Sequence, residues 1–181
     1  MSSTSESEGP TSHSGLSIVL PTFNEGGSIR QVIASLLHLG KDQPLEILIV
    51  DDDSRDGTPD LVRDLARQDP RIRIIQRVGR SGLASAIKEG LIAALYPTAV
   101  VMDSDGQHEP ASVGKAVQLL DRGGLDLVAG SRFLDHSEIL GLSDRRTDGS
   151  TLANHLASCS LPRSYRHLTD CMSGFIVLRL N

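Results

Sequence analysis

Two aspartates one residue apart, Asp103 and Asp105, follow the short apolar run 99–102 and lead into Gly106, Gln107 and His108. Beyond a strand, carboxylates at i and i+2 can point the same way. Two such neighbours repel each other unless a cation sits between them. Hard oxygen ligands suit Mg2+ or Mn2+, which commonly takes one or two carboxylates and completes its shell with substrate phosphates. Gln107 can add a carbonyl oxygen. The same residue types also build an ordinary acidic turn, so this segment alone leaves both readings open. A second acidic run, Asp51-Asp52-Asp53-Ser54-Arg55-Asp56-Gly57-Thr58, follows the apolar run 45–50. Asp52, Ser54, Asp56 and Gly57 stand at calcium-loop offsets. The twelfth position, however, is Arg63, where a bidentate Glu is required, and a calcium loop is excluded. A solvated acidic loop, or carboxylates that accept hydrogen bonds from a nucleoside, remain. Arg132 follows a third run, 125–129, and is either a planar fork for phosphate oxygens or a surface ion pair.

Other chemistries find no support. No GxGxxG follows the first apolar run. Gly79-Arg80-Ser81-Gly82 lacks the Gly-Lys-Thr ending of a nucleotide P-loop and reads as a loop that lets backbone pack closely. Ser54 and Ser131 have no His and acid arrangement, and His108 and His155 have no partners at ligand spacing. Cys159 and Cys171 form no CxxC and read as free thiols in a reducing compartment. Eighteen Lys and Arg against 23 Asp and Glu give a net charge of −5, which argues against a general nucleic-acid binder. Aromatics are 3% of the chain and Trp is absent, so the core must be aliphatic and stacking platforms few. No stretch approaches the roughly 20 apolar residues of a membrane span. The N-terminus lacks a secretory pattern, so the default location is cytoplasmic.

The elements that must position these residues alternate. Residues 1–15 are polar and read as a disordered leader. Strands are expected over 16–20, halted by Pro21, and over 45–50, 72–75, 99–102 and 125–129. Helices are expected from Ile29, with Ser28 as cap and Gly40 as stop, from Thr58-Pro59, and over 83–95 and 113–120. A polar loop over 135–149, a helix over 151–157 and an inner strand over 174–178 follow. This alternation predicts an α/β domain over 16–181, mainly parallel, with helices on both faces. The last strand stands close to Asn181, which suggests a natural domain that is longer. Ligands of open α/β sheets bind at the carboxyl ends of the strands, where four polar segments converge here.

In their order, Ser17-Ile18-Val19-Leu20-Pro21-Thr22-Phe23-Asn24-Glu25, Ile49-Val50-Asp51-Asp52, Asp56-Gly57-Thr58, Asp103-Ser104-Asp105-Gly106-Gln107-His108, Gly130-Ser131-Arg132 and Asp170-Cys171-Met172-Ser173-Gly174-Phe175 resemble family-2 glycosyltransferases of the dolichyl-phosphate mannosyltransferase type. The resemblance covers nearly everything from Leu16 onward. It implies a GT-A type fold in which Pro21, Phe23, Glu25, Val50 and Asp52 hold the nucleoside of a nucleoside diphosphate sugar. Asp103 and Ser104 would line the diphosphate and sugar, Asp105 and Gln107 would hold Mg2+ or Mn2+, and Arg132 would contact phosphate. Asp105 and Arg132 would thus carry the catalysis. The implied reaction is inverting transfer of a hexose, GDP-mannose favoured as donor, to a polyprenyl phosphate. Arg132, with Arg145 or Arg146, could gather that acceptor phosphate. The enzyme would work at the cytosolic face of a membrane, through a membrane-anchoring partner or a further C-terminal segment. Asp53 departs from the pattern, standing where the family's D-D-G-S version has Gly, and the family's later basic residues would lie beyond Asn181. A related transferase with another donor or acceptor, or a nucleotide-sugar-binding module inactive alone, are the alternatives.

Overall fold

The computed structural model describes residues 15–41, 43–106, 110–131 and 173–180. The expected leader (1–14), Gln107, His108, Arg132, the 135–149 loop, Arg145, Arg146, the 151–157 helix, His155 and both cysteines lie outside the described residues. Six strands form one sheet in the order β3-β2-β1-β4-β6-β5. They are β1 (Leu16–Thr22), β2 (Leu45–Asp51), β3 (Ile72–Gln76), β4 (Thr98–Met102), β5 (Leu127–Ala129) and β6 (Phe175–Arg179). Strands β1 to β4 pair in parallel, while β6 runs antiparallel between β4 and β5. The mainly parallel α/β sheet expected from the alternation is observed, and β6 is the inner strand.

Buried parallel strands read as nearly continuous apolar runs, because both of their faces are covered. In β2 every residue is buried. Alternate side chains serve different layers. Ile18, Leu20, Ile47 and Ile49 join a core with Ile29, Val32, Ile33 and Leu36 of α1 (Ile29–Leu37), Val62 of α2 (Thr58–Gln68) and Val113, Ala116 and Leu120 of α4 (Pro110–Gly123). Val19, Leu48, Val50 and Val101 pack instead against Ala86, Ile87 and Leu91 of α3 (Leu83–Ala93). Helices therefore cover both faces of the sheet.

Two expectations are corrected, at Pro21 and Ser28, while α2 starts at Thr58 as expected. Pro21 does not halt β1, which continues through Thr22 opposite Asp51. The Thr22 carbonyl accepts from Asp52 N at 2.9 Å, so Pro21 turns its imino edge toward β4, where pairing has already ended at Val19–Val101. No ladder bond is lost there. Ser28 stands at the N-cap of α1 but makes no side-chain cap bond. The cap of α2 is Gly57, at φ 89°, and Asp56 Oδ1 accepts the Thr58 N–H at 3.1 Å. At other boundaries α3 ends at Ala93 and β5 begins only at Leu127.

The amino-end edge of the sheet is closed by a buried polar cluster. Glu46, 2% exposed, accepts from Ser17 Oγ, Arg73 Nη1 and the Leu95 N–H. Arg73 also donates to the Ala93 carbonyl at 3.1 Å, and Tyr96 N donates to Ser17 Oγ at 3.0 Å. These bonds satisfy backbone groups freed where α3 ends.

Candidate functional site

At the carboxyl edge, the loops after β1, β2, β3 and β4 are stitched together by their own side chains. Asp51 is fully buried and accepts from Ser54 N at 2.9 Å, Ser54 Oγ at 2.6 Å and Thr22 Oγ1 at 3.2 Å. Ser54 Oγ in turn accepts from Asn24 N at 2.8 Å. Asp56 accepts from Gly26 N at 2.8 Å and Thr58 Oγ1 at 2.6 Å, and Glu25 N donates to Thr58 Oγ1 at 3.1 Å. The Thr58 hydroxyl, followed by the Gly26 N–H, holds the Asp56 carboxyl below the usual aspartate range. Asp51, fully buried, and Asp56, exposed at the loop surface, are the acceptors that shape these loops. The Ser54 hydroxyl is engaged in this lattice as both donor and acceptor.

Asp52 has a different place. Arg77 Nη1 donates to Oδ1 and the Gly82 N–H donates to Oδ2 at 2.7 Å. The carboxylate lies in a cleft between the loops after β1 and β2 and the loop that joins β3 to α3. One half, about 420 Å3, is bounded by Phe23, Asn24, Asp53 and Arg80; the adjoining half, about 410 Å3, by Pro21, Thr22, Ser81 and Leu83. Phe23, Asp52 and Ser81 line both. Phe23 is 61% exposed, an unusual position for an aromatic ring in a chain so poor in them. A larger groove, about 820 Å3, runs along α3 toward Leu180, but none of the converging acidic loops reaches it.

The turn after β4 reaches this cleft through Ser104, which is 3% exposed and donates to the Pro21 carbonyl at 3.1 Å. Ser28 Oγ lies 3.0 Å from the Ser104 carbonyl and 2.9 Å from Glu25 Oε2. The hydroxyl expected to cap α1 therefore joins the first loop to the acidic turn. Asp105 is exposed beside Gly106, whose φ is 82°. Asp103 is half-buried against the backbone of Gly174, where a Cβ would come within 1.9 Å of Asp103 Oδ2. Only glycine fits so close an approach.

Of the residues singled out from sequence, Pro21, Phe23 and Asp52 share the cleft, while Glu25, Ser104, Asp103 and Asp105 lie on the loops bonded to it. Val50 is fully buried under α3, so any ligand contact it makes is through its backbone. Gln107, Arg132 and Arg146 lie outside the described residues. Sequence reasoning missed Arg77, and it read Ser81 and Gly82 only as part of a close-packing loop, whereas both line the cleft and the Gly82 N–H holds Asp52. The signal was available for Arg77, which follows an apolar strand just as Arg132 does.

The glycosyl transferase family 2 profile matches residues 17–177. The chain belongs to glycosyltransferase family 2. It is 30% identical over 164 residues to a dolichol-phosphate mannosyltransferase of Pyrococcus furiosus, covering 91% of this chain and 46% of the relative. A polyprenol monophosphomannose synthase of Mycolicibacterium smegmatis is 33% identical over 141 residues, covering 76% of this chain and 52% of the relative. The chain thus spans about half the length of these relatives. Among solved structures, glucosyl-3-phosphoglycerate synthase from Mycobacterium tuberculosis, in complex with Mn2+, UDP-glucose and phosphoglyceric acid, superposes with a TM-score of 0.68 at 25% identity, covering 91% of this chain and 56% of that one. A Pyrobaculum calidifontis mannosyltransferase in complex with GDP-mannose and Mn2+ shares the fold, with a TM-score of 0.59 at 21% identity, over 91% of this chain and 44% of its own. The expected GT-A type architecture is therefore the observed one.

Proposed function

We propose that this family-2 glycosyltransferase binds a nucleoside diphosphate sugar in the Phe23–Asp52 cleft, with GDP-mannose as donor, and transfers the hexose with inversion to a polyprenyl phosphate. The observation that carries this reading is the bonding of Ser104 to Pro21, which joins a base-sized cleft to an acidic turn through one short polar link. The names of the relatives point to the same chemistry. Asp52 accepts N–H donors of the base, Phe23 covers it, and Asp103 and Ser104 face the diphosphate and sugar.

The described residues contain no cluster of three His, Cys, Asp or Glu, so they build no closed metal cage. An exposed Asp105 at an open turn fits a hard ion that keeps substrate phosphates in its shell. Asp105 with Gln107 would hold that Mg2+ or Mn2+, which would offset charge on the departing diphosphate. A phosphate monoester with a second pKa of about 6 is already mostly dianionic at neutral pH. The acceptor therefore needs positioning, the role of Arg132 and Arg146, more than it needs a base. The encounter takes place at the cytosolic face of a membrane, with a membrane-anchoring partner or segment; no helix among the described residues is long and apolar enough to cross a bilayer.

Calorimetric titration tests the reading. GDP-mannose should bind with Mn2+ present, and Asp105→Ala should weaken that binding at least tenfold, about 1.4 kcal/mol. Equal affinity in EDTA and in Mn2+ would overturn the metal role. Tighter binding of UDP-glucose would favour the donor seen in the M. tuberculosis structure.

A further inference from the structure

Arg77 follows β3 directly and donates its backbone N–H to the Asp51 carbonyl at 2.8 Å, which sets it beside the end of β2. Its side chain is 3% exposed. Nη1 donates to Asp52 Oδ1 and lies 3.3 Å from the Gly82 carbonyl, and Nη2 donates to Ser85 Oγ. Nε lies 3.2 Å from Glu89 Oε2 but finds no acceptor in hydrogen-bond geometry among the described residues. A buried cation between two carboxylates is costly to desolvate, and apolar residues of similar volume often match such a pair in stability. Stability alone does not account for it.

What the arrangement does is fix Asp52. One oxygen is gripped by Arg77 and the other by the Gly82 N–H, both from the β3–α3 side. A carboxylate has about four lone-pair sites, so each oxygen keeps one to offer into the cleft that Asp52 lines. Two parallel acceptors match two adjacent N–H donors on one base edge. Guanine carries that pair at N1 and N2, whereas uracil has a single imide N–H.

We propose that Arg77, tethered by Ser85 and Glu89, is a positioning residue that aims the Asp52 carboxylate and thereby sets preference for a guanine nucleotide. The inference rests on the nucleotide-sugar reading above. Its test is calorimetric titration of GDP and of UDP, with Mn2+, into the full chain and its variants. Wild type should prefer GDP. Arg77→Lys keeps the charge but not the fork, and should cost at least tenfold for GDP and less than threefold for UDP. If Arg77 acts through Asp52, its effect must vanish once Asp52 is changed. The double variant Arg77→Lys/Asp52→Asn should then bind GDP within threefold of Asp52→Asn alone. Equal losses for both nucleotides, or additive losses in the double variant, would reduce Arg77 to a structural ion pair and overturn the proposal. Should Arg77→Lys fail to fold, Ser85→Ala and Glu89→Gln, which keep the arginine and cut one tether each, should each weaken GDP three- to tenfold. No loss in either overturns the proposal. Wild type binding neither nucleotide would overturn the nucleotide-sugar reading itself, and this inference with it. Nucleotide binding that ignores Asp52→Asn would overturn this inference alone.

Discussion

Asp53 occupies the left-handed region at φ 61°, next to the Asp52 that the cleft depends on. Most side chains lose about 1–2 kcal/mol in that conformation, and Asp is among the few that visit it. The departure from the D-D-G-S pattern is therefore absorbed: the loop takes the turn a glycine would take. Asp53→Gly should leave stability unchanged or raise it slightly, whereas Asp53→Ala should lower it by about 1 kcal/mol, read from urea denaturation midpoints. A lower midpoint for the glycine variant would show that the Asp53 carboxylate, 3.4 Å from the Gly79 N–H, matters more than the backbone. Gly174 makes a complementary case. A methyl group there would meet Asp103 Oδ2 at 1.9 Å and displace the carboxylate. Gly174→Ala should weaken Mn2+-dependent GDP-mannose binding at least tenfold with the circular dichroism spectrum unchanged. Unaltered binding would show that Asp103 swings aside without consequence.

Between elements, α3 packs closely on the sheet. A Cβ at Gly90 would lie 2.4 Å from Val19 Cγ1 and 3.0 Å from Val50 Cγ2, both in strands that do not yield easily. Gly90→Ala gains helix propensity of about 1 kcal/mol but overpacks the core by about 1–3 kcal/mol. The net change should be destabilising, and Val19→Ala in the same chain should recover part of it by making room. Thermal melts of the two variants decide the matter; a more stable single variant would mean that α3 slides freely. The other end of α3 depends on Glu46, a carboxylate serving three donors while 2% exposed. Glu46→Ala should lower stability by about 1–3 kcal/mol in thermal melts, since it strands the Ser17 hydroxyl and the Leu95 N–H, whereas Arg73, 36% exposed, can turn to solvent.

Over the whole molecule, acidic groups outnumber basic ones and several are bound into the fold, which sets how stability follows pH. The carboxyls of Asp56 and Asp69 are both held below the usual range, the first by the Thr58 hydroxyl and the Gly26 N–H, the second by the Arg71 guanidinium. A carboxyl with a lowered folded pKa stabilises the fold fully above its unfolded value of about 4, and that contribution is lost as pH falls through the folded value. Urea midpoints should therefore hold level from pH 7 to about 5 and fall below about 4. Asp56→Asn should shallow that decline while lowering the midpoint at pH 7. An unchanged acid limb would mean that the Asp56 hydrogen bonds form equally in the unfolded chain.

Alternation of apolar runs with helical spacing was enough to determine the α/β class, since strands buried on both faces must be apolar throughout and helices must be amphipathic. The acidic turns could likewise be placed at the carboxyl edge, because in a parallel sheet whatever follows a strand lies there. Roles within those turns were a different matter. Asp51, Asp52, Asp53 and Asp56 are chemically alike and close in sequence, yet one is buried with three donors, one faces the cleft, one bends the chain and one accepts the first N–H of a helix capped by Gly57. Asp51 and Asp56 draw part of their bonding from near neighbours, Ser54 and Thr58, but the rest comes from Thr22, Gly26, Arg77 and Gly82, about 25 to 30 residues away, and local pattern carries no record of those partners. Ser28 reads as a cap until the β4 turn arrives beside it, and Gly174 reads as the start of a strand until Asp103 packs on its backbone. Local propensity specified the elements; only the parallel crossovers, which bring β1, β2, β3 and β4 to one edge, decided which side chain meets which.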